Sequence, residues 1–547
     1  LGRPGRRSSS VFVSHRRRHE KNTSNQETNI TGIWTPVRTG AHSAECTRTD
    51  TAEKIGKLDF DEATRRVRLK IGPKRDALPQ RLNIGPSGPI ESKVLVNALY
   101  RFADSQIAGD DRYLALSGVL RRAPPKLGGW SVGQPIIAPG QEMLAGSLAA
   151  AQAMDQTCLY VQGPPGSGKT YTGSRMIVSL LAAGWRVGFM SNSHKAINNL
   201  LAGVMGVLAE QGLDVRVVKK CTAGRPDTEF DVAAGAVANL YSNGDVWASE
   251  ANLVAGTAWL FADPDADQQF DALFVDEAGQ VALANLIAAG TCARNIVLLG
   301  DQMQLSQPVQ GVHPGRSGES GLDYLLDGAA TIAADRGIFL ATSYRMHPDV
   351  CRFISDAVYD GRLQPEAGNA ARTLVLGDGA HPLLRPAGIV HAPLAHEGCS
   401  HRSDEEARLV AEVYASALRQ RWTDKQGVEH PMTPSNILVV APYNVQVNLL
   451  KRVLPNGARV GTVDKFQGQE AELVIVSMTT SSEQDLPRHI EFLYSKNRLN
   501  VAVSRAKCLA IVVANPALTA IKCKTPEQMA LVNTLCWVAE AGRLQIS

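Results

Sequence analysis

The sequence predicts an α/β fold with two α/β domains in tandem behind a smaller β-containing module. Three observations carry this expectation. Short aliphatic runs suited to buried parallel strands recur from Gln141 onward, amphipathic helix-length stretches separate them, and the texture upstream is different. With 547 residues, of which 44% are hydrophobic and 20% charged, the chain can bury several cores. Its composition excludes collagen, coiled coil and wholesale disorder. No stretch approaches the roughly 18 apolar residues of a bilayer span, and no signal peptide is recognisable. The start at Leu1 rather than Met suggests a fragment or a processed product.

Residues 1–50 are polar, without periodicity, and read as a flexible basic tail containing Arg3, Arg6, Arg7, Arg16, Arg17 and Arg18. The net charge of +4 hides a gradient. Residues 1–130 hold 24 Lys and Arg against 13 Asp and Glu, and the remainder holds 33 against 40. Such a basic end either attracts nucleic-acid phosphates or is simply solvated. Residues 51–138 read as an accessory β-module and connector: 57–61 and 66–71 alternate like a hairpin, a helix is expected over 94–103, and Gly/Pro breaks surround it. The first α/β domain is expected over 139–330, with strands at 159–161, 187–190, 253–255, 272–275 and 296–299. The second spans 331–547, with strands at 338–340, 389–390, 437–440, 459–463, 473–476 and 509–513. Nine cysteines, none in a C-x-x-C pair, argue against a disulfide framework or a cysteine-built metal site and fit buried thiols in a reducing cytoplasm.

The most specific segment is Gly163-Pro164-Pro165-Gly166-Ser167-Gly168-Lys169-Thr170, between an expected strand and an expected helix. It fits the phosphate-binding loop G-x-x-x-x-G-K-[ST]. Glycines let backbone N–H groups curl round a phosphate, the helix N-terminus adds partial positive charge, Lys169 reaches the β- and γ-phosphates, and the Thr170 hydroxyl ligates Mg²⁺. Downstream, Asp276 and Glu277 end an apolar run where a second metal-site carboxylate is needed. Asp276 can hold the metal and Glu277 can deprotonate the attacking water.

The string Asp276-Glu277-Ala278-Gly279-Gln280 resembles motif II of superfamily 1 helicases, in the D-E-A-x-Q form of the 1B branch typified by the nonsense-mediated-decay helicases. Further blocks follow in that family's order: Gly300-Asp301-Gln302-Met303-Gln304-Leu305, Ser343-Tyr344-Arg345-Met346-His347-Pro348, the stretch 461–470 and the stretch 497–507. The resemblance covers about residues 141–515 and is nearest to the helicase half of bacterial nuclease–helicase fusions. It implies two RecA-like P-loop NTPase domains using ATP and Mg²⁺. It further implies that Gln304 senses the γ-phosphate, that Arg345 and Arg505 act as arginine fingers from the second domain, that Tyr344 stacks on adenine and that Glu470 faces the ribose or phosphates. Gln141 matches the adenine-reading glutamine, with a surface glutamine as the alternative. Asn192, Ser193 and His194 stand at the motif Ia position, departing from the family's P-S-N. Of these, Ser193 and His194, with Thr257 and Asn444, are candidates for nucleic-acid backbone contact, against the alternative of plain strand-to-helix turns.

The expected activity is that of an ATP-dependent helicase or translocase moving on single-stranded nucleic acid, DNA rather than RNA, with 5′-to-3′ polarity implied by resemblance alone. The alternative is an ATP-switched nucleic-acid-binding or complex-remodelling factor without processive unwinding. A nuclease domain, upstream or on a separate chain, is the partner such a fragment would have.

Overall fold

The structure is a computed structural model that describes residues 9–12, 26–31, 43–48, 54–61, 66–71, 81–86, 91–231, 236–306, 313–466, 468–486 and 490–544. It divides into two units, Leu1–Ser92 and Lys93–Ser547.

In the first unit six strands form an antiparallel sheet in the spatial order Ser9–Phe12, Arg81–Pro86, Ser43–Arg48, Lys54–Asp61, Arg66–Ile71, Gln26–Thr31. The expected hairpin is present, with Leu58 opposite Leu69 and Phe60 opposite Val67. Three of the six strands fall within residues 1–50, which the sequence reading assigns to a flexible tail. Period-2 patterning is weak in these polar strands, and their pairing is set by partners distant in the chain. The remainder of the expected tail, including the arginines at 3, 6, 7 and 16–18, lies outside the described residues.

The second unit is built on two large parallel sheets. The first has eight strands in the order Val237–Leu240, Val217–Lys220, Leu253–Gly256, Val187–Met190, Phe270–Val275, Ala293–Gly300, Cys158–Gln162, Gly337–Phe339. The second has five in the order Gly388–Pro393, Ala506–Ala514, Ala471–Ser477, Ile437–Val440, Arg459–Gly461. Alternate residues of one strand enter opposite cores: Leu273 and Val275 face one side of the first sheet, Ala272 and Phe274 the other. Helices cover both faces, so the strands read as continuous apolar runs rather than alternating ones. In the second sheet Leu438, Val474 and Val512 join the same core as Leu273, while Val439, Ile475 and Ile511 face a separate one. A single apolar core therefore runs from the first lobe into the second.

Two expected boundaries shift. Lys93–Ala108 and Leu114–Leu120 are helices of the first lobe, not a connector. Leu116 packs so closely on Gly290 that a Cβ there would lie 2.6 Å from the leucine Cδ2. The strand expected at 338–340 also belongs to the first sheet, where Ile338 pairs with Val161, so the lobes part after Phe339 and not at residue 330. Edge pairing of a short strand is decided by register in space, which a local pattern does not contain.

Candidate nucleotide site between the lobes

The loop Gly163–Thr170 links the buried strand Cys158–Gln162 to the helix Lys169–Ala182. Gly166 and Gly168 adopt φ of +74° and +82°, the left-handed conformation that lets successive N–H groups point inward. Gly163 is fixed by space instead. A Cβ there would lie 2.0 Å from Lys169 Cγ, because the lysine folds back and its Nζ donates to the Gly163 carbonyl. Thr170 follows in the first turn of the helix and is exposed.

Asp276 and Glu277 follow the strand Phe270–Val275. The Asp276 N–H donates to the Met190 carbonyl at 2.8 Å, locking the strand end beside its neighbour. Burial, and then the adjacent Glu277 charge, push the Asp276 carboxyl up to about 7, with Lys169 pulling the other way. Glu277 itself sits at φ +53°, a strained conformation for a non-glycine residue. Gly279 explains part of that turn: a Cβ there would meet the Asp301 carbonyl oxygen at 2.7 Å, so the loops at 276–280 and 300–305 touch through backbone.

The second lobe arrives directly on the phosphate-binding loop. The Tyr344 N–H donates to the Gly166 carbonyl at 2.8 Å, and the Ser343 hydroxyl donates to the Pro165 carbonyl at 3.4 Å. A Cβ on Gly166 would lie 2.5 Å from Arg345 Cβ. The exposed Tyr344 ring passes over Gly168, with Lys425 Nζ 5.6 Å from its centroid. Arg345 is oriented by two partners, its Nε donating to Glu470 at 2.6 Å and its Nη1 to the Ser504 carbonyl at 3.1 Å. Glu470 also pairs with Lys507 at 3.2 Å. Burial works against its charge, but Arg345 and then Lys507 outweigh it and hold the carboxyl below its ordinary value.

Arg505, next to Ser504, is 3% exposed, and its Nε and Nη2 are buried without a hydrogen-bond acceptor. Burial and the nearby Arg345 charge pull its pKa down, while Glu277 and Glu470 pull it back up. An unpaired buried guanidinium is costly, and it is the kind of group an incoming anion satisfies.

Gln304 is buried, and its side-chain amide is engaged within its own loop. Its Nε2 donates to Asp301 Oδ2 at 3.0 Å, the oxygen that also accepts the Tyr359 hydroxyl at 2.6 Å. From the second lobe, Asn497 donates to the carbonyls of Gln302 and Gln304 at 2.9 and 2.6 Å, and Asn500 to the Met303 carbonyl at 2.8 Å. Asn497 and Asn500 lie within the quoted 497–507 block, but nothing local marked their carbonyl partners. Tyr359 lies in none of the blocks, and 58 residues separate it from Asp301.

The remaining candidates fall elsewhere. Gln141 is exposed, and its Oε1 accepts the Ala138 N–H at 3.0 Å while its Cδ fills the space above Gly146. Ser193 caps the helix His194–Gln211 by accepting the Ala196 N–H at 3.1 Å. His194 is partly buried with Nδ1 unpartnered, and burial followed by the Lys219 charge lowers its pKa. Thr257 precedes the short helix Ala258–Phe261 and makes no side-chain cap. Asn444 is exposed at the start of the helix Asn444–Val453. All four lie just beyond carboxyl ends of parallel strands, the edge on which such sheets bind ligands.

Two family models described as AAA domain match the chain, over residues 137–316 and 324–517. The chain is 26% identical over 402 residues to the DNA replication ATP-dependent helicase/nuclease JHS1 of Arabidopsis thaliana, covering 69% of this chain and 29% of that protein. It is 25% identical over 470 residues to the regulator of nonsense transcripts 1 homolog of Drosophila melanogaster, covering 78% of this chain and 38% of that one. It thus matches well under half the length of either relative. Among solved structures, the arterivirus nonstructural protein 10 helicase aligns over 90% of this chain and 78% of its own, at 14% identity and a TM-score of 0.41.

Proposed function

We propose that this chain is a superfamily 1B helicase that hydrolyses ATP in the cleft between its lobes and uses the cycle to move along single-stranded DNA from 5′ to 3′. The observation that carries the reading is Arg505, buried at the lobe junction with Nε and Nη2 lacking acceptors, beside Arg345 and within the field of Glu277. A triphosphate supplies the missing acceptors. The residues present fit that group: the glycine loop has no room for a Cβ at Gly163 or Gly166, and Lys169 stands at its head.

In this mechanism the loop N–H groups and Lys169 hold the β- and γ-phosphates. Thr170 and Asp276 would hold Mg²⁺, which neutralises phosphate charge when bound. Glu277 takes a proton from the attacking water, and Arg345 and Arg505 stabilise charge on the transferring phosphoryl oxygens. Gln304 leaves Asp301 to contact the γ-phosphate. The Tyr344 ring stacks on the base, and Glu470 keeps Arg345 aimed at the loop rather than touching the nucleotide itself. Because the arginines and Lys169 sit on different lobes, gain and loss of the γ-phosphate alternately tighten and relax the junction. Ser193, His194, Thr257 and Asn444 lie on the edge along which the strand would run, contacting sugar and phosphate. Preference for DNA is supported by the name of the Arabidopsis relative, a replication helicase/nuclease, whose nuclease activity also makes a nuclease the expected partner.

The test is Glu277→Gln. Nucleotide binding is retained while steady-state hydrolysis falls by about 10²–10⁴-fold. Hydrolysis at the wild-type rate overturns the assignment of the base. Tailed duplexes of DNA and of RNA, with 5′ or 3′ overhangs, settle substrate and polarity. Strand-stimulated hydrolysis without displacement on any of them would instead identify an ATP-switched remodelling factor.

A further inference from the structure

Tyr359 ends the helix Pro348–Val358 of the second lobe and is fully buried. A buried phenol in an apolar core needs partners for its hydroxyl, and this one has two, both outside its own helix. It donates to Asp301 Oδ2 at 2.6 Å and accepts from Asn500 Nδ2 at 3.0 Å. The first partner belongs to the loop 300–305 of the first lobe, the second to the helix Lys496–Val503 that leads into Arg505. Phe339, at the last strand of the first sheet, packs on the ring with centroids 6.3 Å apart. The same Asp301 oxygen accepts Gln304 Nε2 at 3.0 Å. Tyr359 and Gln304 thus share one acceptor, and the hydroxyl is a joint between the loop carrying Gln304 and the helix that leads into Arg505.

We propose that Tyr359 is a positioning residue for hydrolysis: its hydroxyl keeps Asp301 satisfied when Gln304 turns toward phosphate, and holds Asn500, and through it Arg505, in register with that movement. The inference rests on the phosphoryl-transfer reading above. Without the hydroxyl, Asp301 Oδ2 is left with Gln304 as its side-chain donor, so release of Gln304 would strand a buried carboxylate oxygen. The amide then stays on Asp301, and the chemical step slows while nucleotide binding at the glycine loop does not change.

The experiment is steady-state ATP hydrolysis by Tyr359→Phe with Mg²⁺ and a saturating single-stranded oligonucleotide, alongside thermal melting. The expected result is a fall of about tenfold in kcat with KM for ATP within twofold of wild type. Tyr359→Phe/Gln304→Ala should be no slower than Gln304→Ala alone, because both act on one step; a purely structural tyrosine would add its own loss. Equal kcat for wild type and Tyr359→Phe, or independent losses in the double variant, overturns the proposal. If Tyr359→Phe fails to fold, Asn500→Leu removes the other partner of the hydroxyl and is read in the same way. A wild-type protein without ATPase activity would refute the proposed function itself, whereas an active wild type with an unaffected Tyr359→Phe refutes only this inference.

Discussion

Arg505 and Asp276 are both held in states that cost the free protein stability, and both costs are tied to the proposed reaction. The Arg505 guanidinium is buried without acceptors on two of its nitrogens, so replacement by lysine keeps a charge but loses the fork. Arg505→Lys is expected to lower kcat by on the order of 10³-fold with KM changed far less, read from hydrolysis at saturating ATP. Asp276 carries a carboxyl raised to about 7 by burial and by Glu277, so above that pH its ionised form burdens the folded state. Asp276→Asn removes that burden. In metal-free, nucleotide-free protein its Tm should exceed that of wild type at pH 8, and the gain should shrink progressively as pH falls from about 7 to the ordinary carboxylate pKa of about 3.9, below which folded and unfolded chains are both protonated. Turnover should be lost at every pH.

The elements around the cleft explain why certain positions tolerate no change. Gly166 combines φ of +74° with an Arg345 Cβ that an added methyl would meet at 2.5 Å. Gly166→Ala therefore strains the loop and pushes the lobes apart. It should raise KM for ATP and lower kcat together, unlike the Arg505 change. Ser193 behaves differently because its hydroxyl caps a helix. Ser193→Ala should cost about 1 kcal/mol in urea unfolding whether or not nucleic acid is present. A loss of single-strand affinity larger than the loss of stability explains would support the proposed direct contact as well. Much of this scale was legible beforehand. The phosphate-binding loop and the strands before and after it depend on local glycine placement and unbroken apolar runs, both visible in one dimension. Domain edges were not, since Gly337–Phe339 and the helix Leu114–Leu120 take their lobe from contacts with Tyr160 and Gly290 that no window spans.

Across the second unit, a continuous apolar core from Leu273 to Val512 joins the two lobes. A grip made mainly on sugar and phosphate would be neutral to sequence and sensitive to salt. With about five phosphates engaged, affinity for a single-stranded oligonucleotide should fall about 10²-fold between 50 and 200 mM NaCl, and equally for different base compositions. A flat salt response in an anisotropy titration would contradict a backbone-directed grip.

The sequence by itself laid out a phosphate-binding loop from Gly163 to Thr170 and the carboxylates Asp276 and Glu277 beyond an apolar strand, while the roles expected of Gln304, Arg345 and Arg505 came from the resemblance of their blocks to superfamily 1 helicases. It also determined the parallel sheets, because strands buried on both faces must be apolar at every position. Only the tertiary structure decided which groups meet. Gln304 rests on Asp301, Glu470 orients Arg345, Gln141 closes its own turn at Ala138, and Tyr359 joins two lobes through one hydroxyl. The reason is that a hydrogen bond between residues tens or hundreds of positions apart depends on where the backbone has folded, and no local propensity encodes that distance.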